Sequence, residues 1–177
     1  MKKTFLITTV VFALIISAFT VSMLWKADEK NSSISFEGGG KKGTFGNLSS
    51  TINFDKANLK DSKIIASIDV KTLNAGNERL DAHLKSADFF DADKFPKIIF
   101  ASSEIKASDK GYVAIGNLSM KDSIKVIELP FTFTEDGKEK GTFYGTITVF
   151  AGDYGVIKKS KEGNDKFVVS LVIPVTK

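Results

Sequence analysis

The 177-residue chain contains no cysteine, one histidine and one tryptophan. Missing thiols exclude disulfides, thiolate nucleophiles, thiolate metal ligands and a lipidated cysteine anchor. They do not argue against export, because a domain of about 150 residues buries enough surface to stand without staples. A Ser-His-Asp site would have to use His83, and no Gly-x-Ser-x-Gly elbow accompanies it. One His without Cys fits a zinc site poorly. Charge is scarce in net terms: 25 basic against 21 acidic side chains, with Lys2 and Lys3 among the basic ones. Without those two the balance is +2, which leaves no nucleic-acid footprint.

The N-terminus is an address. Lys2-Lys3 precedes an uncharged run over residues 4–24, the order of a secretory signal. At about 21 residues the run also approaches membrane-spanning length. Thr20 and Ser22 suit the −3 and −1 positions of a cut before Met23. Residues 1–22 are therefore expected to be a signal peptide or an uncleaved anchor, tethering the protein through residues 4–24. Residues 23–177 are expected to form one domain outside the cytoplasm, periplasmic or secreted.

Beyond Trp25, short β-type runs alternate with turn clusters, the pattern of an all-β sandwich or barrel. Ile64, Ala66, Ile68 and Val70 share one face, opposite Ser67, Asp69 and Lys71. Phe45 and Leu48 fall on opposite parities of one strand, which predicts a bulge between them. Further strands are expected over residues 33–36, 97–105, 112–120, 127–133, 143–150 and 167–175. Pro130 predicts an edge or bulge position in its strand. Residues 76–86 break the alternation and read as a short helix, followed by a crossing loop over 88–96.

Three clusters are weighed as sites. Asp88, Asp91 and Asp93 lack the spacing of an EF-hand loop and suit the capping of local turns. Gly38-Gly39-Gly40 lacks the Gly-Lys-Ser/Thr ending of a phosphate loop and suits a hairpin turn. The aromatic set is different. The chain has 15 Phe, which carry much apolar area and no polar handle. Phe36, Phe45, Phe89, Phe90, Phe95, Phe100, Phe131, Phe133 and Phe143, with Ile68, Val70, Leu84 and Leu118, form the candidate ligand-contact set. An eight-stranded barrel either fills with such side chains or holds one ligand.

The run from Asp69 to Phe100 carries a pattern: Arg79, His83-Leu84, Ser86-Ala87-Asp88-Phe89-Phe90-Asp91, Lys94-Phe95-Pro96 and a hydrophobic strand ending in Phe100. It resembles the signature of the YceI-like family. Ser33-Ile34-Ser35-Phe36, Gly116-Asn117-Leu118-Ser119-Met120 and Asp153-Tyr154-Gly155-Val156 echo that family elsewhere. The resemblance implies an antiparallel lipocalin-like barrel of about eight strands, exported to the periplasm, with a polyisoprenoid or similar lipid inside. Ser32 stands where the family usually has His, Ala151 where it usually has Arg, and residues 121–127 depart from its usual Lys-Gly-Val-Thr-Lys-Pro-Val. These departures bear on the ligand rather than the fold. The sequence thus predicts an apolar-ligand carrier, monomeric or homodimeric, without catalytic, cofactor or metal residues. The alternative is an envelope stress or interaction module whose barrel is filled and whose surface loops act.

Overall fold

The computed structural model describes residues 23–177; the signal or anchor expected over 1–22 lies outside them. Among the described residues there are nine strands: β1 (Leu24–Ala27), β2 (Ser33–Gly38), β3 (Lys41–Asn53), β4 (Lys63–Asn74), β5 (Lys97–Ser108), β6 (Gly111–Met120), β7 (Ser123–Asp136), β8 (Lys140–Phe150) and β9 (Lys166–Thr176). Each described pairing is antiparallel, and β3 pairs with both β2 and β4. β2 also pairs with β9, so the sheet closes on itself. The result is an eight-stranded antiparallel barrel, because β1 and β2 share one strand position. Both lie between β3 and β9. Six steps from Ala27 to Ser33 match only three on β9, from Val175 to Val172, and the excess loops out.

Local chemistry accounts for the joints. Gly39 and Gly40 sit at φ 54° and 71° in the β2–β3 hairpin, the left-handed pair that a tight turn there demands. Asn47, at φ 51°, marks the predicted bulge in β3, where pairing to β4 shifts between Gly46 and Ser49. The shift puts both Phe45 and Leu48 on the inner wall. The helix α1 (Glu78–Lys85) starts at Asn77, whose side chain accepts from Leu80 N at 3.0 Å. Asp81 accepts from Ala75 N at 2.6 Å and fixes the entry.

One end of the barrel is plugged by aromatic rings. Phe54, 1% exposed, has the rings of Tyr112, Phe131, Phe133 and Phe143 at 5.0 to 5.5 Å, all edge-on. Trp25 caps this cluster, 5.0 Å from Phe133, and its Nε1 donates to Phe54 O at 2.9 Å. Gly141 leaves room for the Phe133 ring; a Cβ there would come within 2.5 Å of it. Such edge-to-face pairs add about 0.5–1.5 kcal/mol each beyond area burial.

One seam of the wall is different. β7 and β8 pair only from Phe131↔Gly145 to Asp136↔Lys140. The first half of β7, residues 123–130, pairs with β6 alone, and residues 146–150 of β8 pair with β9 alone. Pro130 stands where the two strands part, which satisfies the expectation of an edge position. The gap is covered by a flap of side chains rather than by a ladder. A 3-10 turn, Ala151–Tyr154, folds back after β8 with Ala151, Tyr154 and Val156 buried. Gly155 at φ 66° ends the turn, and Lys121 Nζ donates to Gly155 O at 3.0 Å and to Phe89 O at 2.6 Å. Asp165, 2% exposed, accepts from Ala151 N through its backbone carbonyl, while its Oδ1 has no partner among the described residues.

Two outcomes follow. Phe54→Ala is expected to cost about 3–5 kcal/mol, read from urea unfolding, because the four rings around it cannot collapse onto the void; a loss below ~1 kcal/mol contradicts the plug. Burial, then the nearby Asp153 charge, pushes the Tyr154 phenol up to about 12. The unfolded chain gives up that proton first, near pH 10. This contribution is therefore intact below pH ~10 and lost as pH rises toward ~12. Tyr154→Phe should flatten the alkaline decline of the urea midpoint relative to the parent chain, and an identical decline in both proteins contradicts the assignment.

Candidate functional site

Above the aromatic plug the barrel is hollow. The cavity measures about 260 Å³. Its floor is Phe131 and Phe143, the upper rings of the plug. Period two decides its walls. Ile64, Ala66 and Ile68 face inward from β4, and Ile127 and Leu129 from β7. Ile147 and Val149 come from β8, and Val169, Leu171 and Ile173 from β9. α1 and the loop after it cross the open end and turn Leu84, Phe89 and Phe90 inward. Phe36 and Phe45 meet at 5.3 Å, and Phe45 reaches Phe90 at 5.7 Å, so aromatic rings gather at the mouth as well.

Ten of the thirteen candidate residues line this space: Phe36, Phe45, Ile68, Leu84, Phe89, Phe90, Phe100, Leu118, Phe131 and Phe143. Three do not. Phe133 lies one inward position past Phe131 and belongs to the plug, 4.4 Å from the Phe143 ring. Val70 is sealed in the packed core, 1% exposed, where β4 is held by its N–H to Pro96 O. Phe95 stays half-buried in the crossing loop with Lys94 Nζ 5.0 Å over its ring. The sequence reading missed the aliphatic wall of β7, β8 and β9. Its signal was present in the alternation of those strands, yet which parity faces inward follows only from the register.

The lining is apolar with four polar members, Lys41, Ser50, Ser67 and Asn164. Ser50 belongs to β3, and its buried Oγ has no hydrogen-bond partner among the described residues. Ser50 and Ala66, which pair across β3 and β4, put two small side chains side by side on the cavity wall. His83 is exposed and packs edge-on to Phe89 at 4.5 Å, on the outer side of the mouth. The acidic cluster builds its turns with backbone rather than carboxylates. Asp91, at φ 51°, accepts through its carbonyl from Lys94 N and Phe95 N, and Asp93 pairs with Lys71 at 2.8 Å. The Lys71 ammonium holds the exposed Asp93 carboxyl below its ordinary range. Among the described residues no group of three or more His, Cys, Asp or Glu is placed to hold a metal ion.

An apolar, walled space with few polar groups can hold an apolar chain. Known proteins resemble this chain in sequence or in fold. A UPF0312 protein of Photorhabdus laumondii is 30% identical over 97 residues, 55% of this chain and 50% of its own length. The chain thus spans about half the length of that relative. The structure of BcnA from Burkholderia cenocepacia superposes with a TM-score of 0.78 at 23% identity, over 85% of this chain and 100% of that one. A polyisoprenoid-binding domain from Saccharophagus degradans superposes with a TM-score of 0.65 at 13% identity, over 86% and 97%. These two likenesses are of fold. The model of the YceI-like domain matches residues 25–176, nearly the whole described barrel, and the chain belongs to the YceI-like family.

Proposed function

We propose that this protein carries or sequesters a long apolar lipid, of polyisoprenoid type, inside its barrel, in the cell envelope and without catalysis. The observation that carries the reading is the hollow upper barrel above a packed aromatic floor. A filled barrel acting through its surface loops would need no such space. The binding of a polyisoprenoid by a domain of the same fold supports the ligand class. The charged-then-apolar N-terminus supports an extracytoplasmic location.

The energetics suit a carrier. About ten buried methylenes at about 0.8 kcal/mol each approach the ~8 kcal/mol of a micromolar complex, before ordering costs. The walls discriminate weakly between chains that differ by a methylene. Selectivity would rest on chain length against the floor and on the polar members Lys41, Ser50 and Asn164. The first experiment is native mass spectrometry of the protein purified from its own envelope, with solvent extraction of the bound guest. A co-purifying long-chain isoprenoid is the expected result. A guest-free protein that also fails to take up the fluorescent probe N-phenylnaphthylamine overturns the reading. Ala66→Phe adds a ring to the cavity wall, so about tenfold weaker probe binding is expected with the fold retained, as a lost contact area of tens of Å² implies. Unchanged probe affinity in a folded Ala66→Phe variant places the guest elsewhere.

A further inference from the structure

We propose that the seam between β7 and β8 is a sideways door to the cavity, and that the protein seats this door on a lipid bilayer. The proposal rests on the carrier reading and adds the route and the partner surface. Along this seam residues 126–130 of β7 and 146–150 of β8 stand opposite each other without pairing, although both strands continue. Cavity-lining side chains stand on both lips: Ile127 and Leu129 on β7, Ile147 and Val149 on β8. The flap that follows β8 packs against β7 over the gap. Opening it requires moving a 3-10 turn tied by Lys121 and breaks no β7–β8 ladder over these positions.

The outer rim of the seam carries three large apolar side chains beside the exposed Glu128. Ile124 and Val126 point outward from β7 and are 64% and 72% exposed, the highest values for large hydrophobics among the described residues. Extending the β7–β8 register past Phe131↔Gly145 places Phe150 across from Val126, and Phe150 is 43% exposed. Single exposed hydrophobics are ordinary; three grouped on the two lips of one gap mark a contact surface. The occupant is identified by continuity. The rim, the lips and the cavity form one apolar path, and a bilayer is the partner that can both seat the rim and supply a mobile apolar chain to the path. Through that path the guest avoids water, which would cost about 25 cal/mol for each Å² of exposed apolar surface. Lys125, exposed between Ile124 and Val126 in the chain, suits anionic headgroups, which attract basic residues near a membrane surface.

The test uses the full-length chain and vesicles of phosphatidylcholine with phosphatidylglycerol. Brominated acyl chains should quench the indole introduced by Val126→Trp and leave that of Tyr144→Trp, on the fully paired part of β8, unquenched. Transfer of a pyrene-labelled fatty alcohol from the vesicles should slow about tenfold in Ile124→Asp/Val126→Asp, as loss of two inserting side chains predicts, with unchanged binding of the same probe added from solvent. Lys121→Met, which frees the flap, should speed transfer. Absence of quenching at position 126, or wild-type transfer by the double variant, overturns the proposal. If the parent chain does not take up the probe from solvent either, the carrier reading falls with it; normal uptake from solvent with unaltered transfer removes the seam route alone.

Discussion

Closure of the sheet is the constraint on which the rest depends. Once β2 pairs with both β3 and β9, eight strands enclose a fixed cross-section, and that width sits at the boundary between a filled core and a hollow one. This chain uses both solutions, one above the other. Aromatic rings are large enough to meet at the axis, so Phe54 and its neighbours fill the lower half. Aliphatic side chains and the small Ser50 and Ala66 do not meet there, so the upper half stays open. The helix and crossing loop then act as a partial roof, because the strands they join, β4 and β5, are adjacent and leave the excess chain nowhere to lie but over the mouth.

The same closure explains where charge and polarity are tolerated. Outward positions take lysines, acids, serines and threonines, and pairs such as Lys71–Asp93 are exposed and contribute little to stability. Inward positions are governed by the lack of partners. Ser50 is an exception on the wall and Asp165 an exception under the flap, each with a buried oxygen that the described residues leave unpaired. Both lie close to the cavity or its cover, where a guest, a solvent molecule or a shift of the flap could satisfy them.

Much of the architecture was legible in the sequence because period two is a local property. The inner face of β4, the bulge between Phe45 and Leu48, the glycine hairpin and the helix near residues 76–86 all follow from neighbours in the chain. Pro130 even marked the seam, since a residue without an N–H signals a strand that has lost a partner. The long match around Arg79, His83 and Phe89 supplied the family. Depth was not legible. Phe131 and Phe133 have the same parity and the same chemistry, and only the register with β8 decides that one floors the cavity while the other lies in the plug. Val70 was misjudged for a related reason, because facing inward does not by itself mean facing the open space. The abundance of Phe suggested a ring-lined cavity, yet the rings gather at its two ends and aliphatic side chains form most of the wall between.

The pairing of the chain's first strands with its last has a consequence for timing. β1 meets β9 through Lys26↔Thr176, and β2 meets it along five further positions. Contacts of such long sequence separation form late and slowly. Until the final strand has been made, β2 and β8 are open edges, the kind that invite pairing with other chains, and no enclosed interior exists. An interior exists only once the last described strand is in place, so the eleven residues of β9 (Lys166–Thr176) act as the commitment step that turns a twisted sheet into a closed barrel.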